Sequence, residues 1–84
     1  MNNKTTNTIA VGVDEIKQAN IRLILNSVDQ ALQERGYNPK TQIVGYLITG
    51  DPAYISSYKN ARTMIQTVER DEILKELVRS YFED

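Results

Sequence analysis

Cysteine and histidine are both missing from this 84-residue chain. Without cysteine there is no disulfide staple and no thiolate metal site. Without histidine the commonest metal ligand and general base are gone, and with them the usual Ser-His-Asp triad. Tryptophan is absent and prolines number only two. No apolar run approaches the roughly 20 residues of a membrane-spanning helix, and no leader-peptide pattern is visible. These absences predict a soluble, cytoplasmic protein with no membrane insertion. Charge of one sign is lacking too: ten basic residues face eleven acidic ones, for a net charge of −1. Such a balance does not advertise nucleic acid as a partner. A chain this short buries only about 60–65% of its unfolded surface, and small unstapled domains often gain stability by self-association. One domain and a homodimer are the expectation.

What the sequence has is helical periodicity and strong punctuation. Residues 1–13, MNNKTTNTIAVGV, are polar and then briefly alternating at Ile9, Val11 and Val13, which reads as a flexible N-terminal arm. Asp14 stands where an N-cap belongs, and Ile16, Leu23, Ile24, Val28, Ala31 and Leu32 follow at helical spacing to about residue 35. Ile21 and Leu25 widen that stripe beyond one face. Gly36 stops the helix. In GYNPKTQIVGYLITGDPAY, Asn38 caps and Pro39 takes the first helical position, where its missing N–H costs nothing. Ile43, Val44, Tyr46, Leu47 and Ile48 then form a short helix that is apolar almost all round and so calls for burial in the core or at an interface. Gly45 inside it costs about 1 kcal/mol relative to Ala, which suggests a close-packed backbone neighbour. Gly50 ends the helix, Asp51 caps again, and Pro52 opens a short helical turn with Tyr54.

Beyond Ser56 and Ser57, Tyr58, Ala61, Met64, Ile65 and Val68 keep helical phase. The apolar stripe then jumps to Ile73, Leu74, Leu77, Val78, Tyr81 and Phe82, so a break between two helices is placed near 69–71. The Glu72–Glu76 and Lys75–Arg79 like-charge pairs are assigned to the outer face of the last helix. The sequence therefore predicts an all-α fold: four helices plus one short helical turn over 14–84, in a compact homodimer.

No catalytic constellation, metal site or cofactor motif emerges. The four glycines read as punctuation rather than as a phosphate loop, and the adjacent carboxylates Asp71–Glu72 and Glu83–Asp84 point apart on a helix. Five tyrosines offer apolar area with a hydroxyl, which suits core and interface packing. The middle of the chain is mildly basic, carrying Lys40, Lys59 and Arg62 against Asp51, and the tail is acidic.

The order GYNP, QIVGY, GDPAYI, then YKNAR and ERDEILKELVRSYF, resembles the IreB/ReoM family of small regulatory phosphoproteins from Gram-positive bacteria, over about Leu32 to Phe82. The resemblance implies a non-enzymatic, cytoplasmic helical homodimer phosphorylated by a PASTA-domain Ser/Thr protein kinase and reset by its cognate phosphatase. It further implies a role in peptidoglycan precursor synthesis, in Clp protease turnover of the enolpyruvyl transferase, and in cephalosporin resistance. Counting back from Tyr37-Asn38-Pro39 places the family's target threonine at Thr8, with a second at Thr5. The flanking Asn7 and Ala10 depart from the family's acidic and Arg positions. Of the family's arginine string, Arg62 and Arg70 are present as phosphate or partner contacts, whereas Ser57 and Gln66 replace basic residues. Ile43, Val44, Tyr46, Leu47, Tyr54 and Leu77 are the expected core or interface positions. Two other classes stay open: a small helical DNA-binding regulator, with the Gly-Asp-Pro turn joining a helix-turn-helix, and a purely structural dimer.

Overall fold

The computed structural model describes residues 12–83, so the calls on Thr5, Thr8, Ile9 and Val11 lie outside the described residues. Four α-helices build the domain: α1 (Val13–Glu34), α2 (Pro39–Thr49), α3 (Ala61–Ile65) and α4 (Arg70–Glu83). Two 3-10 turns, Pro52–Tyr54 and Tyr58–Asn60, link α2 to α3. The all-α expectation stands, with a second short turn added. None of the helices among the described residues is long and apolar enough to cross a membrane.

The caps form as their local chemistry requires. Asn38 accepts a hydrogen bond from Thr41 N at 3.3 Å, with Pro39 opening α2, and Asp51 accepts one from Ala53 N at 2.9 Å. Gly50 ends α2 with φ +75°, a left-handed conformation that L side chains adopt only at a cost. At α1 the cap differs from expectation. The helix begins at Val13, and Glu15 Oε1 reaches back to accept from Gly12 N at 2.7 Å, so Asp14 lies in the first turn. A carboxylate there still favours the positive end of the helix dipole.

The core centres on Ile21, Ile24, Val28, Ala31 and Leu32 of α1, met by Tyr46, Ile55, Ala61, Ile65 and Ile73. The buried stripe of α1 therefore runs through Ile21. Ile16 and Leu23, seven residues apart and so on one face, stay exposed. Helix α3 runs antiparallel to α1, with Lys59 at Glu34, Met64 beside Ala31, and Val68 beside Ile21.

The helix expected over Tyr58–Val68 shrinks to five residues. Lys59 and Asn60 take positive φ (52° and 62°) before it. After it, Gln66 Nε2 donates to Arg62 O at 3.0 Å and Thr67 Oγ1 donates to Met64 O at 2.6 Å. Side-chain bonds of this kind compete with continuation of the helix. A five-residue helix packed through Ala61 and Ile65 also differs from the second helix of a helix-turn-helix, and the Gly-Asp-Pro turn leads into two 3-10 turns rather than directly into a helix.

Gly45 is explained by a ring rather than by a backbone neighbour. A β-carbon there would stand 2.5 Å from Tyr54 Cδ1, so the bare helix surface is the seat of the Tyr54 ring. Gln42 Nε2 fastens the same residue by donating to Tyr54 O at 2.9 Å.

Candidate functional site

One edge of α2 borders open space, with Ile43 and Leu47 still packed partly against the core. Its residues Ile43, Val44 and Leu47 face Leu25 of α1 and Leu77 of α4 across a hollow of about 600 Å³. Arg22, Asp29, Lys40 and Glu76 stand at its rim. A second, shallower hollow on α4 is lined by Leu74, Val78 and Phe82. Four of the residues singled out from sequence, Ile43, Val44, Leu47 and Leu77, are thus brought together. The other two are not: Tyr46 sits in the core at 5% exposure, and Tyr54 covers Gly45. Burial of α2 all round does not occur within one chain. Val44 and Ile48 are exposed at 52% and 75%, and Tyr81 and Phe82 at the end of α4 are more open still.

The rim of this groove holds a group that sequence reasoning placed wrongly. Glu76 is buried, at 3% exposure, instead of lying on the outer face of α4. Its phase explains this, because Ile73, Glu76 and Ser80 are spaced three and four apart and share the inward stripe. Arg79 approaches one turn away, Nε to Oε1 at 2.9 Å and Nη2 to Oε2 at 2.6 Å, in the bidentate geometry guanidinium groups favour. Arg22 of α1 stands 3.8 Å from Oε2, and Arg79 Nη1 continues to Glu83 at 2.8 Å. The hydrogen bonds from Arg79 hold the Glu76 carboxyl below the ordinary carboxylate range, and burial only partly opposes them. The signal that could have found it was an i, i+3 acid–base pair whose acid keeps phase with Ile73.

Arg62 and Arg70 are placed apart by their anchors. Arg62 Nε donates to Ile55 O at 2.8 Å, closing the loop before α3. Arg70 Nη1 donates to Leu47 O at 3.0 Å, joining the start of α4 to the end of α2. A β-carbon on Gly50 would come within 2.8 Å of Arg70 Cζ, so Gly50 leaves room for that guanidinium. Neither arginine has a carboxylate partner among the described residues.

At the far end of α1, the Arg35 guanidinium lies 5.0 Å from the centroid of the Tyr58 ring, and Lys59 Nζ lies 5.5 Å from the same ring. Lys59 pairs with Glu34 at 3.0 Å. That bond, followed by one from the Tyr58 hydroxyl, lowers the Glu34 carboxyl. Among the described residues, no group of three His, Cys, Asp or Glu residues is arranged to hold a metal ion.

Comparison with known proteins places this geometry. A family profile described as the IreB regulatory phosphoprotein matches residues 6–83, nearly the whole chain. The chain belongs to the IreB family. A UPF0297 protein from Ruminiclostridium cellulolyticum is 49% identical over 77 residues, covering 92% of this chain and 88% of that protein. In this IreB-family chain, the motifs GYNP and GDPAYI are the two capped turns that bracket α2. The arginine of YKNAR is the clasp on Ile55.

Proposed function

We propose that this chain is a non-enzymatic regulatory phosphoprotein that works as a homodimer and is switched by phosphorylation of Thr8, with Thr5 as a second target. The match to the phosphoprotein family over residues 6–83 carries this reading, since it spans Thr8. In the same reading a Ser/Thr protein kinase and its phosphatase set the state of the arm. The dimer then controls peptidoglycan precursor synthesis through Clp protease turnover of the enolpyruvyl transferase, and thereby cephalosporin resistance. Arg62 and Arg70 are the proposed contacts for a partner or a phosphate. Among the described residues neither has a carboxylate partner, and each donates to a main-chain carbonyl.

The dimer is supported by unfilled apolar surface. Besides the groove of Ile43, Val44, Leu47 and Leu77, α4 carries the exposed apolar residues Leu74, Val78 and Phe82. Exposed apolar surface of this kind marks an interaction surface in small soluble domains. In a two-fold pair each copy offers the same patch, so α4 of one protomer would enter the groove of its partner.

A phosphate on Thr8 adds about −1.5 to −2 charges four residues before the first described residue. Asp14 and Glu15 stand in the first turn of α1, next to that attachment point. Kinase treatment followed by mass spectrometry tests the reading. The expected result is a dominant phosphate on Thr8 that Thr8→Ala removes. A chain left unmodified, or one modified equally after Thr8→Ala and Thr5→Ala, overturns it.

A further inference from the structure

Helix α4 does not face the core with its most apolar side. At 3.6 residues per turn, Ile73, Leu74, Leu77, Val78 and Tyr81 form one stripe, centred about 70° around the axis from Ile73. The side chains that turn inward are Ile73, Glu76 and the half-buried Ser80, centred about 30° from Ile73 in the opposite sense. The stripe is thus rotated outward by about 100°. Leu74, Leu77, Val78 and Tyr81 are all at least 40% exposed as a result. Helix α1 shows no such offset, since its buried residues Ile21, Ile24, Val28, Ala31 and Leu32 are all apolar.

Burial of apolar area therefore does not fix the rotation of α4. Ile73 seats its first turn, and Arg70 ties that turn to Leu47 O of α2. Past Ile73, the buried residue of α4 is Glu76. Arg79 donates to both of its carboxylate oxygens, and Arg22 of α1 stands 3.8 Å from Oε2. Arg79 makes the buried charge tolerable, and Arg22 draws it toward α1. A buried ionic cluster of this kind adds little net stability over apolar side chains, and its best-attested use is to fix register. A different rotation has a seat ready. The groove of about 600 Å³ beside α4 is walled by Leu25, Ile43 and Leu47, with Leu77 already at its edge. A roll of about 100° carries Leu77 and Tyr81 into that groove and Glu76 out to solvent.

We propose that the Arg22–Glu76–Arg79 cluster is a rotational lock on α4. It holds the apolar stripe outward, available to a second copy, and keeps the helix from closing the groove of its own chain. Released, α4 rolls inward and withdraws Leu77 and Tyr81 from any partner. The identity of that partner rests on the homodimer reading above; the lock itself does not.

The test reverses one charge on each helix of the full chain. Arg22→Glu sets a carboxylate opposite Glu76 at a side chain 56% exposed, so the core is untouched. Glu76→Lys sets a cation between two guanidinium groups. NOE spectra of mixed labelled and unlabelled chains separate contacts within a chain from contacts between chains. Each single variant is expected to gain contacts of Leu77 and Tyr81 with Ile43 and Leu47 inside one chain. By sedimentation its dimer dissociation constant rises at least about tenfold, the worth of one large apolar side chain withdrawn per copy. The two substitutions together restore an opposite-charge pair between α1 and α4, and return the contacts and association of the parent.

The proposal is overturned if the single variants keep the parent's contacts, or lose helical signal without gaining the new ones. It is overturned equally if the double variant shows the summed defects of the two singles. A parent that sediments as a monomer at every concentration refutes the homodimer instead, and the contacts within one chain then decide the lock alone.

Discussion

Helix α1 is completed on one side by its own chain and left open on the other. Toward α3 it meets Ala61 and Ile65, both without solvent exposure, and Leu32, Val28 and Ile73 close the same core. Toward α2 and α4 it meets a groove in which Val44 and Leu77 remain substantially exposed. Both sides are apolar in composition, so hydrophobicity alone does not separate them. The difference is contact. The α3 side is brought in by a short loop with two fixed turns, whereas α2 and α4 touch each other mainly through the Arg70 bond to Leu47. The closed side specifies the fold of one chain, and the open side leaves apolar side chains uncovered.

Breaking the closed side has the largest effect. Leu32 and Ile65 have no exposed surface, and truncating either to Ala removes buried methyl groups and leaves a cavity costing about 2–5 kcal/mol. Small domains hold only about 5–15 kcal/mol in total, so urea denaturation of Leu32→Ala or Ile65→Ala is expected to show a greatly lowered midpoint. A midpoint within experimental error of the parent would show that this core is not what holds the chain. Breaking the open side gives a different signature. Val44→Lys, at a half-exposed site, changes the stability of a single chain by less than about 0.5 kcal/mol. In the proposed dimer it places a charge in the apolar seam, so sedimentation is expected to move from dimer to monomer while the far-UV spectrum keeps its helical shape. A Val44→Lys protein that sediments as a dimer would move the interface elsewhere.

The seam between α2 and α4 is probed by two glycines of like conformation. Gly36 and Gly50 have φ of 79° and 75°, but a β-carbon on Gly36 meets nothing within 4 Å, and one on Gly50 meets the Arg70 guanidinium. Replacing either by Ala costs about 1–2 kcal/mol for the left-handed backbone. Gly50→Ala is expected to cost more than Gly36→Ala by whatever the Arg70 clasp contributes, about 0.5–1.5 kcal/mol for a hydrogen bond. Equal costs in a thermal melt would mean that the clasp adds nothing to the join.

The turns were more legible in the sequence than the contacts between helices, for a physical reason. Asn38–Pro39, Gly50 and Asp51–Pro52 are local signals, each satisfied by an atom two to four residues away. The break before α4 was legible too, because a phase jump needs only the chain itself. The short α3 was not, since Gln66 and Thr67 end it through side-chain bonds that periodicity does not register. Arg62 and Arg70 read as free cations, yet both reach carbonyls distant in sequence, Ile55 and Leu47. Glu76 was misread as solvent-facing because its spacing from Glu72 was weighed and its spacing from Arg79 and Ile73 was not. Local chemistry survives in a one-dimensional reading; contacts that join separate helices do not.

Glu76 gives the smallest effect and the finest probe of where the two sides meet. Its carboxyl titrates below the ordinary value of 4.5 because Arg79 bonds to the charged form. The unfolded chain thus takes up a proton at higher pH than the folded one, and stability falls with falling pH wherever that difference exists. The contribution is present above about pH 4.5 and is lost as pH drops through the depressed folded value. Glu34, lowered by Lys59 and Tyr58 at the C-terminal end of α1, adds a slope of the same sign. Glu76→Gln keeps the shape and removes the titration, so its melting temperature is expected to fall less steeply than the parent's between pH 5 and pH 3. Glu34→Gln, at an exposed pair, is expected to flatten the curve less, because solvent screens that interaction. Identical slopes for Glu76→Gln and the parent would place the acid sensitivity outside the groove, and would separate the Arg22–Glu76–Arg79 network from the stability of the open side.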